Sequence, residues 1–173
     1  MNKSTEHNVA KNDYSSAFNG GAVGIESIDM SAEKEVAKLF YDYAEAYRRG
    51  DVDACQKCFA IPCTFIGSQL TIHMESHDAF VKHWDESHKV MSKVGVVGSS
   101  VEAVKVFMLD TNVALAAVMY ERLDADGQVF NRGSGTYSVF KGDDGWKVIA
   151  YIMHGPETWL GELVRPSKIP DGR

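Results

Sequence analysis

VEAVKVFMLDTNVALAAVMYERLDADGQVFNRGSGTYSVFKGDDGWKVIAYIM, residues 101–153, decides the architecture. Apolar, β-branched and aromatic residues dominate it. Its interruptions are Asp110-Thr111, Asp124-Ala125-Asp126-Gly127 and Gly142-Asp143-Asp144-Gly145. Asp and Gly at such joints accept the tight backbone of hairpins. The stretch therefore reads as four strands, at about 101–109, 112–123, 128–141 and 146–153, joined as an antiparallel meander.

Upstream the period is helical. Ser31 is a helix N-cap, with Glu33 and Glu35 suited to the positive end of the dipole. Val36, Leu39, Phe40, Tyr43, Ala44 and Tyr47 then form one apolar stripe, ended by Arg48, Arg49 and Gly50. Asp51 caps a short second helix carrying Val52, Cys55, Cys58 and Phe59, which Pro62 ends. Short strands follow over Cys63 to Ile66 and Gln69 to His73. Ser76 and Asp78 open a third helix with Phe80, Trp84, Ser87 and Met91 on one side, ending before a Gly95 to Ser100 loop. Three helices followed by a meander is an α+β pattern, in which helical stripes cover one face of a curved sheet and leave a cavity at its open end.

The 173 residues fit one domain. We expect a flexible leader over 1–29, a folded domain over 30–155, and a Pro-containing tail over 156–173 that wraps the surface. A formal charge of -6 without a Lys/Arg cluster argues against nucleic acid. No apolar run is long enough to span a membrane, and the N-terminal residues lack the apolar core of a signal peptide. The three cysteines, Cys55, Cys58 and Cys63, are odd in number and crowded, unlike a secreted disulfide framework. The expected compartment is the cytoplasm. Cys55-x-x-Cys58 lies inside a helix rather than at its N-terminus and reads as a pair of small core residues.

Val36-x-x-Leu39-x-x-x-Tyr43, Gly50-Asp51-Val52-Asp53-Ala54, Phe59-Ala60, Ile72-His73 and the ending Val139-Phe140-x-x-x-x-Gly145-Trp146-Lys147-Val148 together resemble ketosteroid isomerase and its nuclear transport factor 2-like relatives. The resemblance covers roughly residues 31–155. It implies a cone-shaped fold, with three N-terminal helices on a strongly curved, mostly antiparallel sheet. The fold hosts isomerases, dehydratases, epoxide hydrolases, SnoaL-like polyketide cyclases and non-catalytic domains, so it names no activity. The resemblance places Tyr43 where ketosteroid isomerases carry an oxyanion-donating tyrosine. It places Gly67 where their basic aspartate stands and Thr136 near their second, protonated aspartate. With two of three catalytic groups replaced, ketosteroid isomerisation is not expected.

Tyr43 and Tyr47, one turn apart, read either as core residues at a cavity edge or as donors to a ligand oxygen. Glu121 and Arg132 lie mid-strand on neighbouring strands. They either pair on the solvent face or form an acid–base and anion-clamping pair in the cavity, and one residue of register decides. Phe65, Trp84, Met119 and Tyr151 suit an apolar cavity wall, or plain core. His83, beside Trp84, is a further ligand-contact and proton-moving candidate, and His154 a weaker one. His73, His77 and His88 do not combine with a carboxylate into a metal-ligand set. The reading is a cofactor-independent pocket for a small apolar or aromatic molecule. Tyr43 would polarise an oxygen and Glu121 or His83 would move a proton, as in an isomerase, lyase or cyclase. The alternative is a non-catalytic ligand-binding or accessory protein. Ala114, Ala116 and Ala117 suggest a flat sheet face for a homodimer.

Overall fold

The computed structural model describes residues 30–158. The leader expected over 1–29 and the tail beyond Thr158, with Pro166 and Pro170, lie outside the described residues. The elements are α1 (Met30–Arg48), α2 (Val52–Lys57), β1 (Phe59–Ile66), β2 (Thr71–Met74), α3 (His77–Lys93), β3 (Gly98–Asp110), β4 (Val113–Leu123), β5 (Val129–Gly142) and β6 (Gly145–His154). This is the α+β cone, three helices against one curved sheet.

Local chemistry sets the helix ends. Gly50, at φ 68°, takes the left-handed turn that stops α1. Its N–H donates to the Tyr47 carbonyl at 3.0 Å while that of Asp51 reaches Ala46 at 3.0 Å, the paired bonds of a Schellman motif. The Asp51 carboxylate then accepts from the Ala54 N–H at 3.0 Å and caps α2. One residue thus closes one helix and opens the next. Ser76 caps α3 in the same way, accepting from Ala79 N–H at 3.2 Å. The sequence placed Phe59 on α2 and the helix end at Pro62. The structure ends α2 at Lys57 and gives Phe59 and Pro62 to β1. β3 likewise begins at Gly98, inside the expected loop.

The six strands run β2-β1-β6-β5-β4-β3. Only β1 and β6 pair in parallel; every other pair is antiparallel. Register shifts between Val101 and Ala103 in β3, and between Ser138 and Val139 in β5, mark irregularities of the kind that bend strands. The concave face carries Ala114, Ala116 and Val118 of β4, Tyr137 and Val139 of β5 and Val148 of β6 against Val36, Phe40 and Tyr47 of α1. Ala114 and Ala116 are fully buried, and the Phe40 ring meets Tyr137 edge-on at 4.8 Å. The Glu35 carboxylate ties α1 to the β5–β6 hairpin, accepting from Lys141 Nζ at 2.8 Å and Trp146 Nε1 at 3.1 Å.

On the convex face Ala117 and Met119 pack with Ala103 and Phe107 as a separate cluster. The three alanines expected to share a flat face are therefore divided: Ala114 and Ala116 lie under the helices, Ala117 on the outside. Strand alternation separates them.

Phe80 anchors α3, buried against the Phe59 ring at 5.3 Å. Phe80→Ala is expected to destabilise the protein by about 3–5 kcal/mol, read as a lower urea midpoint at unchanged slope. A change below about 1 kcal/mol would mean that α3 does not depend on this contact.

Candidate ligand pocket

Between α1 and the concave face lies a cavity of ≈ 40 Å³. α1 contributes Phe40, Tyr43, Ala44 and Tyr47; β4 contributes Val118, Tyr120 and Arg122. Tyr137 of β5 and Tyr151 and Met153 of β6 complete much of the wall, with Ser99 and Val101 at the β3 side. The lining is thus apolar in its body, with five phenols and one guanidinium as its polar tips.

Two glycines make this possible. Gly133 stands opposite Tyr120 in the β4–β5 ladder, and a Cβ added to it would come within 2.5 Å of the Tyr120 ring. A Cβ on Gly135 would lie 2.8 Å from the Tyr137 ring. The Gly133-Ser134-Gly135 segment therefore lets both rings lie across β5, and Tyr137 in turn stacks on Tyr151 at 5.2 Å and 9°. Tyr43 is held edge-on by Phe59 at 5.2 Å.

Burial pushes the phenols of Tyr43 and Tyr151 well above their ordinary range, and raises Tyr47 and Tyr137 as well. These four hydroxyls are consequently neutral at physiological pH and can donate hydrogen bonds. Arg122 has its guanidinium 4.6 Å from the Tyr120 ring centroid and 5.4 Å from that of Tyr47. The ionisable groups acting on it are the phenols of Tyr120, Tyr47, Tyr43 and Tyr137. No carboxylate and no histidine lines the cavity among the described residues.

The sequence-level candidates divide into three groups. Tyr43, Tyr47 and Tyr151 come together on the cavity wall. Phe65, His83 and Trp84 stand behind it: Phe65 packs on Tyr151 at 4.6 Å and on His83 at 5.5 Å, and Trp84 on Tyr47 at 5.8 Å. Burial lowers the His83 pKa, with Glu86 opposing the shift. Met119, Glu121 and Arg132 point away from the cavity, on the convex face. Glu121 and Arg132 are direct ladder partners joined at 2.7 Å, and Arg132 also donates to Glu102 at 3.1 Å. Ser100 Oγ donates to the second Glu121 carboxylate oxygen at 3.2 Å. Cross-strand alternation is the reason: the residues that turn inward on β4 are Val118, Tyr120 and Arg122.

Arg122, Tyr120 and Tyr137 were missed. Their signal was present as the i, i+2 series from Ala114 to Arg122, with glycines at 133 and 135 on the facing strand. Gly67 follows the end of β1 and is not part of the cavity wall. Thr136 is also outside the cavity, its hydroxyl bonded to His154 Nε2 at 2.9 Å. His73 bonds Thr64 at 3.1 Å, His88 stacks on Trp84 at 4.7 Å, and His77 lies 3.7 Å from Asp53. Among the described residues no three His, Cys, Asp or Glu side chains come together as a metal site. Cys55, Cys58 and Cys63 are buried and unpaired, with burial pushing their thiols up to about 12, 11 and 11.

A family model described as NTF2-like protein (DUF6841) matches residues 33–156. No curated protein matches the chain. Among solved structures, a domain of unknown function with a cystatin-like fold from Nostoc punctiforme superposes with TM-score 0.62 at 16% identity, over 79% of this chain and 84% of that one. A nuclear transport factor 2-like superfamily protein from Salmonella enterica gives 0.56 at 15% identity, over 83% and 98%. A ketosteroid isomerase-like protein from Erwinia carotovora gives 0.52 at 16% identity, over 73% and 96%. At these identities the likeness is one of fold.

The raised phenols carry a pH signature. Below the ordinary tyrosine pKa of about 10 both folded and unfolded chains hold these protons. As pH rises past it, the unfolded chain releases protons that the folded chain keeps, so stability falls. Phenolate absorbance on folded protein should show Tyr43, Tyr47, Tyr137 and Tyr151 ionising late, together with loss of stability above about pH 10. Uniform ionisation of all tyrosines near their ordinary pKa, with the fold intact, would contradict it.

Proposed function

Because this chain belongs to the NTF2-like protein family (DUF6841), we propose that it is a small-molecule binder whose site is the cavity between α1 and the concave sheet. One observation carries this reading: the inward side chains are apolar at their bases and end in neutral phenols and a guanidinium, a wall built to hold and orient a partly apolar molecule. The acid–base alternative is weaker. Its proton carrier would have to be Glu121, which is tied to Arg132 on the other side of the sheet, or His83, which packs behind Phe65. The donors that do face the cavity could polarise a ligand oxygen, but the described lining offers no group that titrates near neutrality to take a proton. The reading is therefore binding, without a cofactor, rather than isomerisation or cyclisation. Three unpaired buried thiols support a reducing, cytoplasmic setting.

The convex face supports a homodimer. Part-exposed Ala103 and Phe107, packed over the buried Met119, lie at its apolar centre, flanked by Lys105 and Arg132 on one hand and Glu102 and Glu121 on the other. Both signs of charge around one apolar patch allow a two-fold, self-complementary contact.

Two measurements test these readings. In a thermal-shift screen of the full chain against small ketones, phenols, lactones and carboxylic acids, a ligand at about 100 times its Kd should add about 2.7 kcal/mol, several degrees of Tm. Tyr43→Phe should weaken that binding by about three- to tenfold through loss of one donor. Flat curves across the panel would overturn the binding reading. Light scattering should return the mass of a dimer, and a monomeric mass at high protein concentration would remove that assignment.

A further inference from the structure

Resting on the cavity as a binding site, we infer that its ligand is a small monocarboxylate, with the anionic head on the Arg122 guanidinium and a short apolar body against Phe40 and Val118.

The charge balance points there. Arg122 stands on the inward face of β4 at the cavity wall, between the rings of Tyr47 and Tyr120. Among the described residues no carboxylate pairs with it and its N–H groups have no hydrogen-bond partner. The other described arginines contrast with it: Arg48 and Arg49 bind Glu45, and Arg132 binds Glu102 and Glu121. A guanidinium stays charged at any physiological pH, and one facing a cavity without a counter-ion favours an anionic occupant. Its planar fork of N–H groups matches the two oxygens of a carboxylate.

The neighbours sharpen the class. The phenols of Tyr43, Tyr47 and Tyr151 line the same cavity, and none has a hydrogen-bond partner among the described residues. They can donate to an oxygen anion beside the guanidinium. Ser99 adds an acceptor only, because its hydroxyl proton is given to the Glu121 carbonyl at 3.0 Å. One cation balances one negative charge, which favours a monoanion over a phosphate dianion. Size sets the limit on the body. A cavity of ≈ 40 Å³ is well under the roughly 150 Å³ that holds benzene, so a body of one or two carbons fits where a ring does not.

Matched pairs differing only in charge test this: acetate against acetamide and propionate against propionamide, with benzoate and inorganic phosphate as further probes. Calorimetric titration of the full chain near neutral pH should show each short acid binding at least about tenfold more tightly than its amide. Benzoate and phosphate should bind weakly or not at all. Arg122→Gln should abolish the preference for acid over amide, and Arg122→Lys should restore part of it. Should Arg122→Gln fail to fold, the acid-to-amide ratio in the unaltered protein decides alone. Amides binding as well as acids, or acids binding equally to a folded Arg122→Gln protein, would overturn the carboxylate inference while leaving the cavity a binding site. Tighter binding of phosphate or benzoate would overturn the assigned class. Silence from these probes, with a hit among the neutral ketones or lactones, also overturns it; silence from every probe overturns both readings.

Discussion

The ladder that sets Tyr120 opposite Gly133 and Glu121 opposite Arg132 is the constraint on which the interior of this protein depends. In a strand, side chains alternate between faces, so a single choice of register orients all of β4 at once. In the observed register Ala114, Ala116, Val118, Tyr120 and Arg122 turn toward α1, and Ala117, Met119 and Glu121 turn away. Shifting the pairing by one would carry Glu121 under the helix and bring the Val118 side chain into water. A carboxylate placed there without its arginine would cost several kcal/mol, enough by itself to exclude the alternative.

The same strand explains why the cavity lies where it does. At the end near Val113, the inward residues are alanines, and α1 comes close enough for Phe40 to touch Tyr137. Toward Leu123 they become Tyr120, whose ring lies across the sheet over Gly133, and Arg122, whose guanidinium reaches the Tyr47 ring on α1. Gly133 makes that lie possible for Tyr120, and Gly135 makes it possible for Tyr137. Small residues thus seal one end of the cone, while large side chains with polar tips keep the other from closing. The register shifts in β3 and β5 are irregularities of the kind that curve a sheet.

The helices and hairpins were legible because their signals are local: Ser76 and Asp51 as caps, Gly50 as a stop, and Asp/Gly pairs between the strands. The α+β class followed from the change of period, and the resemblance supplied the cone. Phe59 was misassigned because a helix-compatible spacing continued past Lys57, where pairing of β1 with β6 overrides it. The cavity was legible on its helical side, where Tyr43 and Tyr47 share a stripe. On the sheet side it was not. The hairpin between β4 and β5 contains an irregularity, with Arg122 opposite Asn131 but Leu123 opposite Val129. Counting residues across that turn therefore cannot settle which charge faces inward. Of the two readings open for Glu121 and Arg132, the ladder gives the pair on the solvent face, where their complementarity lets them satisfy each other.

Arg122 is informative for the converse reason. A guanidinium at a cavity wall loses part of its hydration, and a leucine would fill the same place without that cost. The rings of Tyr47 and Tyr120 recover some of it, about 0.5–2 kcal/mol for each favourable cation–π contact, and they do so without consuming any N–H group. An ion pair would have held the cation more firmly but would have occupied its donors, as happens to Arg132. Aromatic walls therefore stabilise the charge and leave its hydrogen-bonding edge available. A fold selected for stability alone would have no use for that distinction, whereas a site that must admit and release an anion does.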